Sequence, residues 1–478
     1  MRTLVIALLC ISPNLAASDW PQFRGPNSSG VLEEPGRPLP IEIARQKDEL
    51  WSVDVAEGIS SPVTAPGRIY ITGLRGKQLL TFALDRQTGK LLWEREAPAS
   101  SLEEVHATSS PASSTPACDA RGVVAFFGSV GLLAYDADGK EEWRHPLGPF
   151  KNHYGEAGSP VIAGDRVLLN CDQDEGSFLI ALDRRKGALL WRRERPEFPR
   201  GYATPVLWQS DGSTKVLVAG TLTLKGYALE TGEEVWSAGG LARIVNPTPV
   251  LGEGQIFVSS FAPGGDTGGG GGARIAMPPY PEYLKKNDRD GDARLVEGEV
   301  PDTEMKNRFR QLDANKDGFI TQAEWENMAR IFEAARNSIL ALRPDGEGKG
   351  GLSRIWSYER AIPYVPSPLY YRGLIYLVKD GGIFTILDAK TGELRKQGRL
   401  PAGGNYYASP IGAQGKIFIG SLDGELTVLE AGGEGKVLAK NVVGARIGAT
   451  PAVCDGRLLV RIGSKLSAFG AKSNAGTN

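Results

Sequence analysis

The chain has 478 residues, and its 55 Lys and Arg nearly balance its 56 Asp and Glu, which gives a formal net charge of -1. This length can bury a large core and allows either one large β domain or several ordinary domains. The balanced charge produces no field that would attract a phosphate backbone or an anionic bilayer, so we expect no nucleic-acid partner.

Residues 1–18 have the pattern of a secretory signal peptide. Arg2 precedes an apolar run over residues 4–11, and small residues follow at 16–18, where cleavage is expected;. Cys10 lacks the preceding residues expected of a lipidated cysteine, and no later apolar stretch is long enough to span a membrane;. The sequence therefore predicts an exported protein, periplasmic or extracellular.

Three cysteines remain after the leader, namely Cys118, Cys171 and Cys454. They lie in strand-like segments without the spacing of metal ligands, and their number is odd. We expect buried free thiols that act as small core residues, and no disulfide framework.

A Ser-Pro or Thr-Pro pair followed by a β-rich run recurs through the chain, mostly at intervals of about 40 to 50 residues;. The gap is larger between Pro249 and Pro368, where an insertion is predicted. Eight units result, and their prolines are Pro62, Pro116, Pro160, Pro205, Pro249, Pro368, Pro410 and Pro451.

A second signature follows in five of the units and has the character of a turn between two strands. It consists of an Ala, an acidic residue, a Gly and a Trp. The last example is incomplete, because it has Leu in place of Ala and no Trp. The five sets are Ala83, Asp85, Thr88, Gly89 and Trp93; Ala134, Asp136, Gly139 and Trp143; Ala181, Asp183, Gly187 and Trp191; Ala228, Glu230, Gly232 and Trp236; and Leu387, Asp388, Thr391 and Gly392.

Strand-rich units of this period cannot bury both faces alone, and a ring of them protects most strand edges. The sequence therefore predicts an all-β propeller of eight blades over residues 49–261 and 339–470, with an N-terminal arm at 19–48 and a disordered tail at 471–478. The strand around Trp51 precedes the first Ser-Pro pair, and the last unit ends without a Trp strand. We expect the N-terminal strand to complete blade 8.

The spacing of Ala, Asp, Thr-Gly and Trp resembles the tryptophan-docking motif of pyrroloquinoline quinone (PQQ)-type propellers, and the resemblance covers most of the chain. Residues 19–26 also resemble the start of exported bacterial members. The motif is specific for the fold and says little about chemistry. The resemblance implies that four tryptophans stack against the Ala and Gly turns of neighbouring blades, namely Trp93, Trp143, Trp191 and Trp236.

Residues 262–338 interrupt blade 5 with a Gly-rich linker and charged helical sequence, which predicts a separate α-helical module;. Within it, residues 313–324 fit the EF-hand calcium loop at every position that contacts the ion, and Gly318 permits its sharp turn;. The predicted ligands are the side chains of Asp313, Asn315, Asp317 and Glu324, the carbonyl of Phe319 and a water held by Thr321.

Residues 288–299 form a sister loop, so that an EF-hand pair is predicted in blade 5;. Ala293 stands where the pattern has Gly, and its left-handed backbone predicts binding weaker by about tenfold or more. Leu295 and Ile320 occupy matching positions and are expected to pair, while calcium could be structural or regulatory. The predicted ligands of this loop are Asp288, Asp290, Asp292, Glu299 and the carbonyl of Arg294.

Residues just before the blade starts should approach one mouth of the central funnel. Their mixture of Arg and aromatic side chains suits an anionic or carbohydrate-like ligand, although ordinary rim residues would show the same mixture. The candidates are His106, His153, Tyr154, Glu156, Arg200, Tyr202, Arg243, Asn246, Tyr364, Asn405, Tyr406 and Arg446.

Three classes of function follow. The first is an exported calcium-binding propeller that acts as a non-enzymatic binding or scaffolding protein with a protein or peptide partner, similar to the lipoprotein that assists outer-membrane barrel assembly. The second is a PQQ-dependent alcohol or sugar dehydrogenase, and the third is a small-ligand or glycan binder that uses the funnel. No catalytic residues are assigned and PQQ is not expected, because the adjacent cysteine pair typical of the alcohol-oxidising branch is missing;.

Overall fold

The structure is a computed structural model that describes residues 19–33, 37–43, 48–152, 154–174, 176–210, 212–262, 277–301, 303–306, 309–313, 315–345 and 351–471. The predicted signal peptide, the Gly-rich linker and residues 472–478 of the predicted tail lie outside these ranges, as does His153. In the described residues, no helix is long and apolar enough to cross a membrane.

Eight antiparallel sheets of four strands confirm the predicted eight-bladed propeller. Strand β1 (Glu49–Asp54) comes before blade 1. Blades 1 and 2 are β2 (Val63–Ala65), β3 (Arg68–Arg75), β4 (Gln78–Asp85) and β5 (Leu91–Ala97), then β6 (Ala117–Asp119), β7 (Gly122–Phe127), β8 (Gly131–Asp136) and β9 (Glu141–Pro146). Blades 3 and 4 are β10 (Val161–Ala163), β11 (Arg166–Cys171), β12 (Phe178–Asp183) and β13 (Leu189–Glu194), then β14 (Val206–Ser210), β15 (Ser213–Gly220), β16 (Thr223–Ala228) and β17 (Glu234–Gly239).

The second half of the ring repeats this arrangement. Blades 5 and 6 are β18 (Val250–Gly252), β19 (Gln255–Ser260), β20 (Ser338–Pro344) and β21 (Leu352–Tyr358), then β22 (Leu369–Tyr371), β23 (Leu374–Lys379), β24 (Ile383–Asp388) and β25 (Leu394–Arg399). Blade 7 is β26 (Ile411–Ala413), β27 (Lys416–Gly420), β28 (Glu425–Glu430) and β29 (Val437–Val442), and β30 (Ala452–Cys454), β31 (Arg457–Ile462) and β32 (Lys465–Phe469) belong to blade 8.

Strand β1 pairs with β32 and supplies the fourth strand of blade 8, as predicted. Cys118, Cys171 and Cys454 are buried free thiols, also as predicted. Burial raises the pKa of the Cys118 and Cys171 thiols, so both stay protonated and are poor nucleophiles;.

The tryptophans of the outer strands dock into the next blade. Trp93 donates its indole N–H to the carbonyl of Ala137 at 2.9 Å, and its ring lies so close to Gly139 that a Cβ there would be 2.7 Å away. Four more docking pairs have this geometry, namely Trp51 with Gly89, Trp143 with Gly187, Trp191 with Gly232 and Trp356 with Gly392. For Trp236 the matching turn of blade 5 falls in residues 346–350, outside the described ranges.

The N-terminal arm crosses the end of the propeller toward which the innermost strands run. Its backbone and side chains bond in turn to blades 1, 2, 4, 6 and 7, through Trp20 to Thr64, Pro21 to Cys118, Asn27 to Leu207, Arg24 to Pro368 and Gly30 to Gly412. Trp20 and Arg24 are fully buried. The arm is therefore part of the core and closes one end of the central channel.

Between β19 and β20 the chain leaves blade 5 and forms α1 (Tyr280–Asn287), α2 (Thr303–Lys306), α3 (Phe309–Leu312) and α4 (Gln322–Ala334). α2 and α3 lie on either side of residues 307–308, which are outside the described ranges. The segment has its own apolar cluster, formed by Tyr280, Leu295, Val300, Met305, Phe309, Leu312, Ile320 and Trp325.

Candidate functional site

The Ser or Thr of each repeat pair forms a ring around the propeller axis. The proline that follows this Ser or Thr favours extended backbone at it. The backbone N–H of the Ser or Thr donates to the hydroxyl of the matching Ser or Thr in the next blade. Six such bonds are present in the described residues, from Ser61 to Thr115 (2.9 Å), Thr115 to Ser159 (3.1 Å), Thr204 to Thr248 (3.2 Å), Thr248 to Ser367 (3.0 Å), Ser367 to Ser409 (3.0 Å) and Ser409 to Thr450 (3.0 Å).

A cavity of about 180 Å³ occupies the channel inside this ring. The residues two positions before each Ser or Thr all line it, because alternate residues of an extended segment face the same side. This second ring comprises Ile59, Ser113, Ala157, Tyr202, Asn246, Val365, Tyr407 and Gly448. Tyr154 and Tyr364 add to the wall, and Phe23 of the arm closes the far end.

Of the predicted funnel residues, the structure brings Tyr154, Tyr202, Asn246 and Tyr364 to this cavity. His106 and Arg200 line a separate cleft, Arg243 lies over the Phe332 ring at 5.5 Å, and Arg446 is exposed. The prediction for Tyr406 is wrong, because this side chain is buried between blades 6 and 7 and its hydroxyl donates to the carbonyl of Ala402 at 2.8 Å.

Sequence reasoning missed Tyr407 and Phe23. Tyr407 is two residues before Ser409, so counting in steps of two from the repeat pair would have selected it over its neighbour Tyr406;. Phe23 carries no comparable signal, since it reaches the channel only through the path of the arm.

The cleft that holds His106 and Arg200 has a volume of about 1250 Å³ and lies between the loops of blades 2 and 3 and the inserted segment. Asp174 pairs there with Arg200 at 2.5 Å and lies 3.9 Å from Lys316 of the insert. Glu103 also lines the cleft.

Glu103 and Glu156 form a buried acidic pair beside the channel. The Glu156 N–H donates to Glu103 Oε2 at 3.1 Å, and the Asn152 amide donates to Glu156 Oε1 at 3.3 Å. Burial raises the pKa of Glu103 to about 7. Burial and then the charge of Glu103 raise the pKa of Glu156 above its ordinary range.

Replacing Glu103 by Gln should raise the melting temperature by a few degrees at pH 8 and change it little near pH 4. The folded state holds this proton more tightly than the unfolded chain, so stability falls as the pH rises from the ordinary value of 4.5 to about 7;. Thermal unfolding across that range, beside the exposed neighbour variant Glu104→Gln, measures the effect. A Glu103→Gln curve parallel to wild type at every pH would contradict the assignment.

The two acidic loops of the insert have matching internal hydrogen bonds. In each loop the first Asp accepts from the backbone N–H of the sixth residue, Asp288 from Ala293 at 3.2 Å and Asp313 from Gly318 at 3.0 Å. The last Glu accepts from the ninth residue, Glu299 from Val296 at 3.1 Å and Glu324 from Thr321 at 2.8 Å.

Leu295 and Ile320 join the two loops through a pair of backbone hydrogen bonds of 3.2 and 2.8 Å, as expected from their matching positions. Carboxylate oxygens of Asp288, Asp290 and Asp292 lie within 4.8 Å of one another. Ala293 has φ 63°, the left-handed backbone that Gly318 adopts more easily in the second loop;. The first loop thus gathers three carboxylates around one point, and carboxylate oxygens are the donor type that calcium prefers;.

The comparisons with known proteins concern the propeller. A family model described as outer membrane protein assembly factor BamB matches residues 41–171 and 108–263. BamB from Moraxella catarrhalis superimposes with a TM-score of 0.56 at 14% identity, over 90% of this chain and 98% of that one. Quinohemoprotein alcohol dehydrogenase from Comamonas testosteroni gives 0.55 at 15% identity, over 96% and 82%.

A curated relative, the quinoprotein alcohol dehydrogenase PedH of Pseudomonas putida, is 28% identical over 156 residues, which is 30% of this chain and 24% of that enzyme. The chain therefore spans about a quarter of the length of this relative. Together with the docking tryptophans and the eight sheets, these matches make the chain similar to the PQQ-like β-propeller repeat proteins.

The channel does not have the donor set that a bound quinone needs. PQQ carries carboxylates, and in the dehydrogenases it works with a calcium ion and an acidic base, so its site requires charged side chains. The described lining of this cavity consists of Phe, Ile, Ser, Thr, Tyr, Ala, Asn, Val and Gly, without an acidic or basic side chain. The free cysteines lie on blades 2, 3 and 8 and are not adjacent.

Proposed function

We propose that this chain is an exported, non-enzymatic propeller that binds or scaffolds a protein or peptide partner, and that its insert is an EF-hand pair that holds calcium. The observation that carries the calcium proposal is the matched hydrogen bonding of loops 288–299 and 313–324, coupled through Leu295 and Ile320. The ligands are those predicted from the sequence, and the second loop binds more tightly because Gly318, unlike Ala293, adopts the left-handed turn without strain.

The scaffolding role rests on the similarity to an outer membrane assembly factor, whose family model matches the first half of the propeller. Export rests on the pattern of residues 1–18;. A ring of eight blades whose channel, in its described lining, carries no charged side chain suits the recognition of a partner better than redox chemistry.

Calcium titration calorimetry of the chelator-treated protein tests the proposal. Glu324→Gln should weaken the tighter site by more than about a hundredfold, because it removes a bidentate ligand and changes to supporting residues alone cost 10–100-fold. Glu326→Gln, an exposed acid on the same helix, should leave the titration unchanged. No calcium uptake by wild type, or equal uptake by Glu324→Gln, would contradict the proposal.

The match to a quinoprotein alcohol dehydrogenase favours a second candidate, a PQQ-dependent oxidoreductase. Absorption spectra recorded after adding PQQ and calcium, followed by dye reduction with alcohols and sugars, test it directly. A retained quinone spectrum with substrate-dependent dye reduction would replace the scaffolding proposal by this one.

A further inference from the structure

The two ends of the channel cavity differ. The arm covers the end toward which the innermost strands run, where Phe23 forms the floor. Tyr154, Tyr202, Tyr364 and Tyr407 precede the blade starts and lie toward the opposite end. All four tyrosines are half-buried, so part of each side chain at this end of the channel is exposed to solvent, as is part of Phe23 at the other end.

The volume of the cavity suits a ligand that contains one six-membered ring. A protein cavity of about 150 Å³ accommodates one benzene molecule, and this channel offers about 180 Å³. The space arises where the second ring of lining residues is small, at Ser113, Ala157 and Gly448. On the other side of the channel Tyr202 and Tyr407 provide aromatic walls.

The hydrogen-bonding groups of the wall are neutral and only partly used. Thr115, Ser159, Ser367, Ser409 and Thr450 each accept one backbone N–H, and no protein acceptor for their hydroxyl hydrogens is found in the described part of the chain. A hydroxyl has one donor and two lone pairs, so each retains a donor and a lone pair for a ligand. Asn246 adds an amide to the same wall.

The described residues of this wall include no acidic or basic side chain. Burial raises the pKa of Tyr364 to about 12 and also raises the pKa values of Tyr202 and Tyr407, so these phenols stay neutral. An ionic ligand would lose its hydration without gaining a counter-charge, which costs several kcal/mol or more. The Arg residues predicted for the funnel do not compensate, because Arg200, Arg243 and Arg446 do not line the cavity.

We propose that the channel binds one neutral, ring-shaped polyol, such as an uncharged hexopyranose unit, either free or at the end of a glycan. The aromatic walls pack against the apolar faces of the sugar ring, and the hydroxyl ring and Asn246 bond to its oxygens. Sugar binding in the channel does not require calcium in the insert, so the sugar proposal and the calcium proposal can be tested independently.

Saturation-transfer NMR with glucose, galactose and mannose tests the site in the full mature protein, with and without chelator. Signals are expected for at least one neutral hexose, and glucuronate and galacturonate should bind at least about tenfold more weakly. Binding of an oligosaccharide through its terminal unit, with weak binding of the free sugar, identifies a glycan end as the ligand. No signal from any neutral sugar, or uronates that bind as well, would overturn the proposal.

Gly448→Phe locates the binding in the channel. A Cβ at Gly448 would lie 3.4 Å from Ile59 and 3.5 Å from Leu422, an ordinary contact, so the new ring can fill the cavity. We expect at least about tenfold weaker sugar binding, while Gly433→Phe, on the outer hairpin of blade 7, should bind as wild type. If Gly448→Phe does not fold, Tyr407→Leu provides the same test. Unchanged binding in a folded channel variant would refute the site.

Discussion

Replacing Asp172 by Ala is expected to destabilise the propeller by about 3–5 kcal/mol, because it leaves a buried guanidinium without its counter-ion. Asp172 and Arg195 are both fully buried. Arg195 donates two hydrogen bonds to this carboxylate, at 2.7 and 2.9 Å, and a third to the Tyr227 hydroxyl. Its guanidinium also lies 4.0 Å from the centre of the Phe198 ring. Urea unfolding measures the loss.

Asp165→Ala is the matched control, since Asp165 pairs with Arg166 at the surface and its side chain is 74% exposed. We expect a change below about 1 kcal/mol there. The double variant Asp172→Leu with Arg195→Met should recover much of the loss, because a buried ion pair is often replaceable by apolar residues of similar volume. Equal effects of Asp172→Ala and Asp165→Ala would show that the buried pair does not have the assigned role.

Trp20→Ala should cost about 3–5 kcal/mol, the range for removing a fully buried aromatic side chain. Trp20 packs in one cluster with residues of blades 1, 7 and 8, including Ile69, Phe418 and Val453. Its backbone exchanges two hydrogen bonds with Thr64, at 2.7 and 2.8 Å. The substitution therefore loosens the arm from three blades at once, and calorimetric unfolding should show a lower melting temperature.

Leu92→Ala controls for the loss of apolar volume, because Leu92 is 44% exposed on β5. Its expected effect is within about 0.5 kcal/mol. A Trp20→Ala protein as stable as Leu92→Ala would mean that the arm is a surface attachment rather than part of the core.

The ring of blades could be predicted from the sequence because its signals are local. Each Pro restrains the residue before it, and each docking Trp meets a Gly about one repeat further along the chain, so the repeat count gives the blade count;. The closing strand followed from one observation, that Trp51 had no blade of its own. Trp356 was missed because the insertion separates it from the proline of its blade.

The channel was predicted less well because its lining depends on absolute register. Tyr406 and Tyr407 are neighbours, and one enters a core between blades while the other faces the axis. Composition cannot separate them, but the two-residue step from Ser409 can. The path of the arm had no such signal, since Arg24 meets Pro368 at a separation of 344 residues.

Blade 8 is built from the two ends of the propeller sequence, where Ser467 bonds to Glu49 across 418 positions and Gly470 donates to the carbonyl of Asp48 at 3.1 Å. Loop-closure entropy grows by only about 0.6 kcal/mol per doubling of length, so a contact roughly ten times more distant than those within a blade costs about 2 kcal/mol extra. The larger consequence is kinetic, because contacts of such high order slow folding. We therefore expect blade 8 to close late in folding, and a circular permutant would move this closure to another blade without changing the ring.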